Sequence, residues 1–203
     1  MSNIVLKGST SGDVTITVPA EAGSNTLTIP ASTGEMLTTV STSSNVIPTI
    51  NNATAVATTS GTAIDFTSIP SGVKKITMLF NQVSDNGSAP HQVQIGTSGG
   101  LVTSGYVSSG AYAGAATAGT TLGEGFIIGA GGAAGDKTVG IATIQTIGSN
   151  TWVFSATVGD GTATYTKMGG GSTTLGGVLD RVRLSTTSGA TFDHGSLNIS
   201  WEY

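Results

Sequence analysis

The chain has 203 residues, no cysteine, 31 glycines and a net charge of −4, with 9% charged, 37% hydrophobic and 5% aromatic residues. An acidic balance without a cationic cluster beyond Lys74-Lys75 and Arg181/Arg183 argues against sequence-independent nucleic-acid binding, and the lack of cysteine removes disulfides and thiolate metal sites. So few ionic groups are unusual for a monomer bathed in water, so much of the surface is expected to face other protein.

The opening "MSNIVLKGSTSG" has no apolar h-region, which predicts no secretory leader, and no apolar run is long enough to predict a membrane span. Two β-branched phrases follow. Val14–Val18 and Leu27–Ile29 each stop at a proline, which cannot donate to a ladder. The phrase Thr17-Val18-Pro19-Ala20-Glu21-Ala22-Gly23 returns as Thr28-Ile29-Pro30-Ala31-Ser32-Thr33-Gly34. Fixing one residue's backbone costs about 1–2 kcal/mol. Arms this short are therefore expected to be ordered by pairing with copies of themselves or with a larger particle. Val14, Ile16, Val18, Leu27 and Ile29 are the candidate docking residues.

Residues 38–62 are rich in Thr, Ser and Asn and read as a linker or a loosely paired strand. A denser domain is expected over 63–203. Within it, "VKKITMLFNQV" (73–83), Asp85-Asn86-Gly87 and "HQVQIG" (91–96) predict a hairpin, since Asn-Gly tolerates positive φ. The stretch 110–137 reads as loops around a short "GFIIGA" strand. Trp152, Phe154, Ala156 and Val158 alternate with Val153, Ser155 and Thr157, and Asp160-Gly161 turns the chain into "TATYTKM", a second predicted hairpin. Val178, Val182 and Leu184 are expected on one face and Arg181 and Arg183 on the other, solvated. Leu197, Ile199, Trp201 and Tyr203 alternate to the last residue, predicting an inner strand, with Trp152 and Trp201 in the core. The whole reads as all-β: an extended N-terminal β arm, suited to a homotrimer or to grafting onto a larger particle, followed by a jelly-roll-like β-sandwich.

Chemical motifs are weak. Gly96-Thr97-Ser98-Gly99-Gly100 matches G-x-S-x-G, and Asp193 and His194 follow in hydrolase order, but the following residues are poor helix formers where the nucleophile elbow needs a helix. "GAGGAAGDKT" (129–138) lacks the Gly-Lys step of a P-loop. His91 and His194 stand alone in sequence, so no metal site is expected, and the scattered acids mark no carboxylate pair for glycan cleavage. No catalytic or cofactor-binding residue is assigned. Tyr106, Tyr112 and Tyr165 lie in or beside Gly/Ser-rich loops. Tyr106 and Tyr112 are the candidate receptor-contact residues, because exposed rings stack on sugars or fill a partner's pocket, the alternative being that the rings cover the sandwich edge or an interface between copies.

"NIVLKGSTSGDVTITVPAEAGSNTLTIPASTGEML" is similar to segments of tailed-bacteriophage tail fibres and related virion appendages. "IPSGVKKITMLFNQVS", "VQIGTSGG", "TSGY" and "DRVRLSTTSGATFDHGSLNISWEY" resemble the terminal β domain of such fibres. The resemblance covers 1–37 and much of 69–203. It implies a non-enzymatic homotrimeric virion protein assembled in the host cytoplasm. Residues 1–37 would attach to a tail, connector or capsid protein, and a distal domain would contact bacterial surface glycan or protein. Head fibres and capsid decoration proteins share these modules and remain alternatives, as do, more distantly, a glycan-active enzyme and a secreted carbohydrate-binding module.

Overall fold

The computed structural model describes residues 3–7, 9–17, 50–114, 117–162 and 165–203. It divides into two units, Met1–Val46 and Ile47–Tyr203. All regular structure among the described residues is antiparallel β. In the first unit, β1 (Asn3–Lys7) and β2 (Asp13–Thr17) form a two-stranded hairpin. Val18, Leu27 and Ile29 lie outside the described residues.

Among its described residues the second unit holds two sheets. The larger has nine strands: β10 (Thr117–Leu122), β9 (Val107–Ala113), β14 (Thr166–Thr174), β13 (Thr151–Asp160), β12 (Thr138–Gly148), β6 (Lys75–Asp85) and β16 (Phe192–Glu202) run in that order. The short β3 (Asn51–Asn52) and β4 (Val56–Ala57) both pair with β16. The smaller has five: β11 (Phe126–Ile127), β7 (His91–Thr97), β15 (Arg181–Thr186) and β5 (Ala63–Phe66) in order, with β8 (Gly100–Leu101) added to β7.

The two-residue period decides which side chains are buried. Trp152, Phe154, Ala156 and Val158 of β13 are buried, and Val153, Ser155 and Thr157 face outward. Ile76 and Met78 of β6, Ile144 of β12 and Leu197 and Ile199 of β16 lie in one buried cluster with Val93, Ile95, Val182 and Leu184 of the smaller sheet. Each such side chain contributes about 1.5–3 kcal/mol by leaving water. Aromatic contacts join the layers: the rings of Phe126 (β11) and Phe154 (β13) stack with centroids 5.0 Å apart.

Several expectations are corrected. The segments flanking Asp85-Asn86-Gly87 do not form a hairpin, because β6 belongs to the larger sheet and β7 to the smaller. β7 is buried at every position from His91 to Gly96 and pairs with β15, so the chain crosses between sheets at this turn. Of the stretch 110–137 read as loops, residues 110–113 and 117–122 lie in β9 and β10, which pair antiparallel. β12, not anticipated, pairs with β13 across Ser149-Asn150, whose φ values of 49° and 56° suit a two-residue type I′ turn. In the stretch 38–62, read as a linker or a loosely paired strand, β3 and β4 pair with β16 and Thr58 is fully buried, its hydroxyl donating to the His194 carbonyl at 2.6 Å. Val178 and Tyr203 are exposed, whereas Val182 and Leu184 are buried as their alternation predicts. The β13–β14 hairpin forms, and β16 is an inner strand flanked by β6 on one side and β3 and β4 on the other.

Close approach of the layers needs glycine at one position above all. Gly169 of β14 faces inward, and a Cβ there would press into the Ile127 carbonyl of β11, which is backbone and cannot swing away. Gly169→Ala should destabilise the domain by about 2 kcal/mol through overpacking, read as a lower midpoint in urea unfolding. An unchanged midpoint would show that the layers are not in contact here.

Candidate assembly and receptor-contact surfaces

The N-terminal hairpin pairs Ile4 with Ile16 and Leu6 with Val14, and closes with a Lys7 Nζ–Asp13 Oδ2 ion pair of 2.8 Å. Both partners are well exposed, so water and salt screen that pair. Ile4, Val5 and Leu6 are 62%, 48% and 54% exposed, while Ile16 is half-buried. A lone two-stranded hairpin is marginal in water. Consecutive exposed apolar residues on such a hairpin make a surface suited to a partner strand or groove.

The two tyrosines expected to meet a receptor differ. Tyr106 is buried: its hydroxyl accepts from Ile95 N–H at 2.9 Å and lies 3.2 Å from the carbonyls of Ile95 and Val102. Burial pushes its pKa up to about 12, with the Ile95 hydrogen bond acting in the opposite sense. Its ring meets Phe126 edge to face at 4.8 Å. This tyrosine pins β7 to the loop before β9 and has no free face for a ligand, so its receptor-contact assignment is withdrawn. Tyr112 is half-buried on β9 and packs against Tyr165 at 5.1 Å. The Tyr165 hydroxyl donates to Asp136, and Lys167 Nζ lies 5.7 Å from the Tyr165 ring centroid. Tyr112 and Tyr165 therefore form one partly open aromatic pair.

Between the sheets lies a polar cluster that the sequence did not reveal. Asp85, at the end of β6, accepts from Gly87 N–H through Oδ1 at 2.6 Å and faces His91 Nε2 through Oδ2 at 2.6 Å. Thr138 Oγ1 lies 3.5 Å from the other ring nitrogen of His91. Lys167, buried on β14, faces Asp160 at 3.4 Å. Burial alone would raise the Asp85 carboxyl, but the His91 hydrogen bond and charge, the Gly87 amide and Lys167 together hold it below the usual carboxylate range. The cavity beside the cluster is about 20 Å³, too small for a substrate. The arrangement therefore clamps the crossing from β6 to β7.

Elsewhere the sequence motifs take ordinary local forms. Gly96–Gly100 is the tight turn from β7 into β8, so a strand follows Ser98. Residues 129–137 form the loop before β12, in which the Asp136 carboxylate accepts from Ala133 N–H at 2.7 Å. Asp193 and His194 are exposed on a bulged part of β16, with His194 Nε2 3.3 Å from Gln82 Oε1. No group of three or more His, Cys, Asp or Glu among the described residues is arranged to hold a metal. Arg181 and Arg183 are not simply solvated: Arg183 makes a bidentate pair with Asp65 across β15 and β5 at 2.7 and 2.8 Å, and Arg181 pairs with Asp180 at 2.8 Å. Trp152 is core, and Trp201 is partly buried against it.

No known protein family, curated protein or solved structure matches the chain.

The clamp gives a pH-dependent prediction. A depressed folded pKa means that Asp85 contributes stability above its unfolded value of about 3.9, and that this is lost as pH falls through the folded value. Asp85→Asn should lower urea-unfolding stability by about 2 kcal/mol at neutral pH, with the gap to wild type closing below about pH 4. A gap that stays constant with pH would remove the charged carboxylate from the account.

Proposed function

We propose that this chain is a non-enzymatic structural protein of a tailed-bacteriophage particle, a trimeric tail fibre that docks through its N-terminal arm and presents its second unit to the bacterial surface. In this reading the two sheets of the second unit form a jelly-roll-like β-sandwich, and the Tyr112–Tyr165 pair is its receptor-contact element. The observation that carries the proposal is the division of labour along the chain. A self-contained β unit with one apolar core follows a separate N-terminal unit, whose hairpin exposes Ile4, Val5 and Leu6 and needs a partner to be stable. The fibre-like phrases quoted above fall in the same two parts of the chain.

Deletion of residues 1–40 from the gene in a phage genome tests the docking assignment. The expected result is particles lacking the protein, with the truncated chain accumulating as a folded, protease-resistant product. Incorporation at the wild-type level would refute docking through the arm.

A further inference from the structure

The outward face of the nine-stranded sheet carries almost no charge. Leu79, Ile141, Thr157, Met168 and Ala111 stand in register across β6, β12, β13, β14 and β9. The adjacent row, Thr77, Thr143, Ser155, Gly170 and Ser109, is hydroxyl or glycine throughout. In the next row the one charged side chain is Lys75, and its ammonium is held 2.8 Å from Glu202 on neighbouring β16. Leu79, Ile141 and Met168 are nevertheless 39%, 52% and 40% exposed. An ordinary protein surface is about one quarter charged.

The face also has relief. Leu79 and Ile141 form an apolar ridge on β6 and β12. Beside it, over β13, β14, β9 and β10, lies a shallow, open depression lined by Ser109, Ala111, Thr121, Ser155, Thr157 and Met168. The strands from β10 to β16 span roughly 30 Å at the usual strand spacing, and β13 is about as long. The face is therefore on the order of 800 Å², the area each partner gives to a stable interface.

We infer that a second copy of this chain covers this face, seating its Leu79–Ile141 ridge in the hollow of its neighbour. Two copies of a neutral face meet without like-charge repulsion, and the small Ser, Gly and Ala side chains let the sheets come close. A nucleic-acid or anionic glycan partner would call for unpaired cations, which the face lacks. The inference rests on the proposal above that copies of this chain assemble, and goes beyond the trimer: a face that two copies share is self-complementary and makes a pair. It is read from solution mass, so it can fail while docking of the arm stands, and the reverse.

The test is sedimentation velocity on the full-length chain and on Ile141→Asp and Met168→Asp, with Val178→Asp, exposed away from this face, as control. Wild type and the Val178 variant should sediment as a multiple of 20.0 kDa, and both face variants should shift toward one chain with unaltered circular dichroism. Thr143→Cys, a small change in a chain without cysteine, gives a second readout if the aspartates impair folding. The introduced thiol should label with a maleimide slowly in the oligomer and at least tenfold faster on dilution to single chains. A wild-type mass of one chain would overturn both the face and the trimer. An oligomer that keeps its mass in both variants, or whose introduced thiol labels rapidly throughout, would overturn the face alone. A thiol equally protected in a single chain would show that the chain covers its own face, and that too would overturn the inference.

Discussion

The fold depends on how its few charges are used. Lys75 holds Glu202, Lys167 faces Asp160, Arg181 and Arg183 hold Asp180 and Asp65, and His91 faces Asp85. Several of these pairs bridge neighbouring strands, as when Arg183 lies opposite Asp65 and Lys75 opposite Glu202. Cations so engaged inside one chain are not available to decorate its broad sheet faces. Pairing between neighbouring strands thus leaves a neutral, small-residue exterior, and that exterior is the physical ground for expecting companions.

Inside the domain, two devices join the layers. The Asp85–His91 contact fixes the point where the chain leaves one sheet for the other, with the Gly135 amide bonding the Asp85 carbonyl at 3.1 Å to tie down the next loop. Glycine at 169 then lets β11 lie against β14, so that Phe126 reaches Phe154 and Tyr106 closes over the edge of the stack. The first device is electrostatic and responds to pH; the second is steric and does not. The domain therefore has its order built in, whereas the N-terminal hairpin, with an exposed ion pair and apolar residues in water, does not.

Strand identity was legible where one face is buried and the other wet, as in β13, whose two-residue period survives intact into the burial pattern, and in β16, where Leu197 and Ile199 are buried as their alternation predicts. It failed for β12, because Ile141 faces outward while Ala142 and Ile144 face inward, so apolar residues occupy both sides. Asp85-Asn86-Gly87 was recognised as a turn, but local turn chemistry is the same whether the chain folds back or crosses to another layer. The deciding fact, that Gln92 and Gln94 are buried against Ser185 and the Glu124 carbonyl, needs partners about 93 and 30 residues away. Tyr106 looked like an exposed loop ring for a similar reason: its Gly/Ser neighbours are visible in sequence, and the Ile95 backbone that binds its hydroxyl is not. His91 gave one signal that could have been used, a histidine six residues after an aspartate across a tight turn.

The most direct measurement is the mass of the full-length protein as ionic strength rises. If charges are satisfied within each chain and copies meet through neutral sheet faces, the assembly should keep the same multiple of 20.0 kDa from about 0.05 to 1 M salt, a range over which the screening length falls below about 4 Å. A protein that comes apart as salt is added would place ion pairs between chains, contrary to this account. One that sediments as a single chain at every salt concentration would show that its uncharged exterior faces water after all.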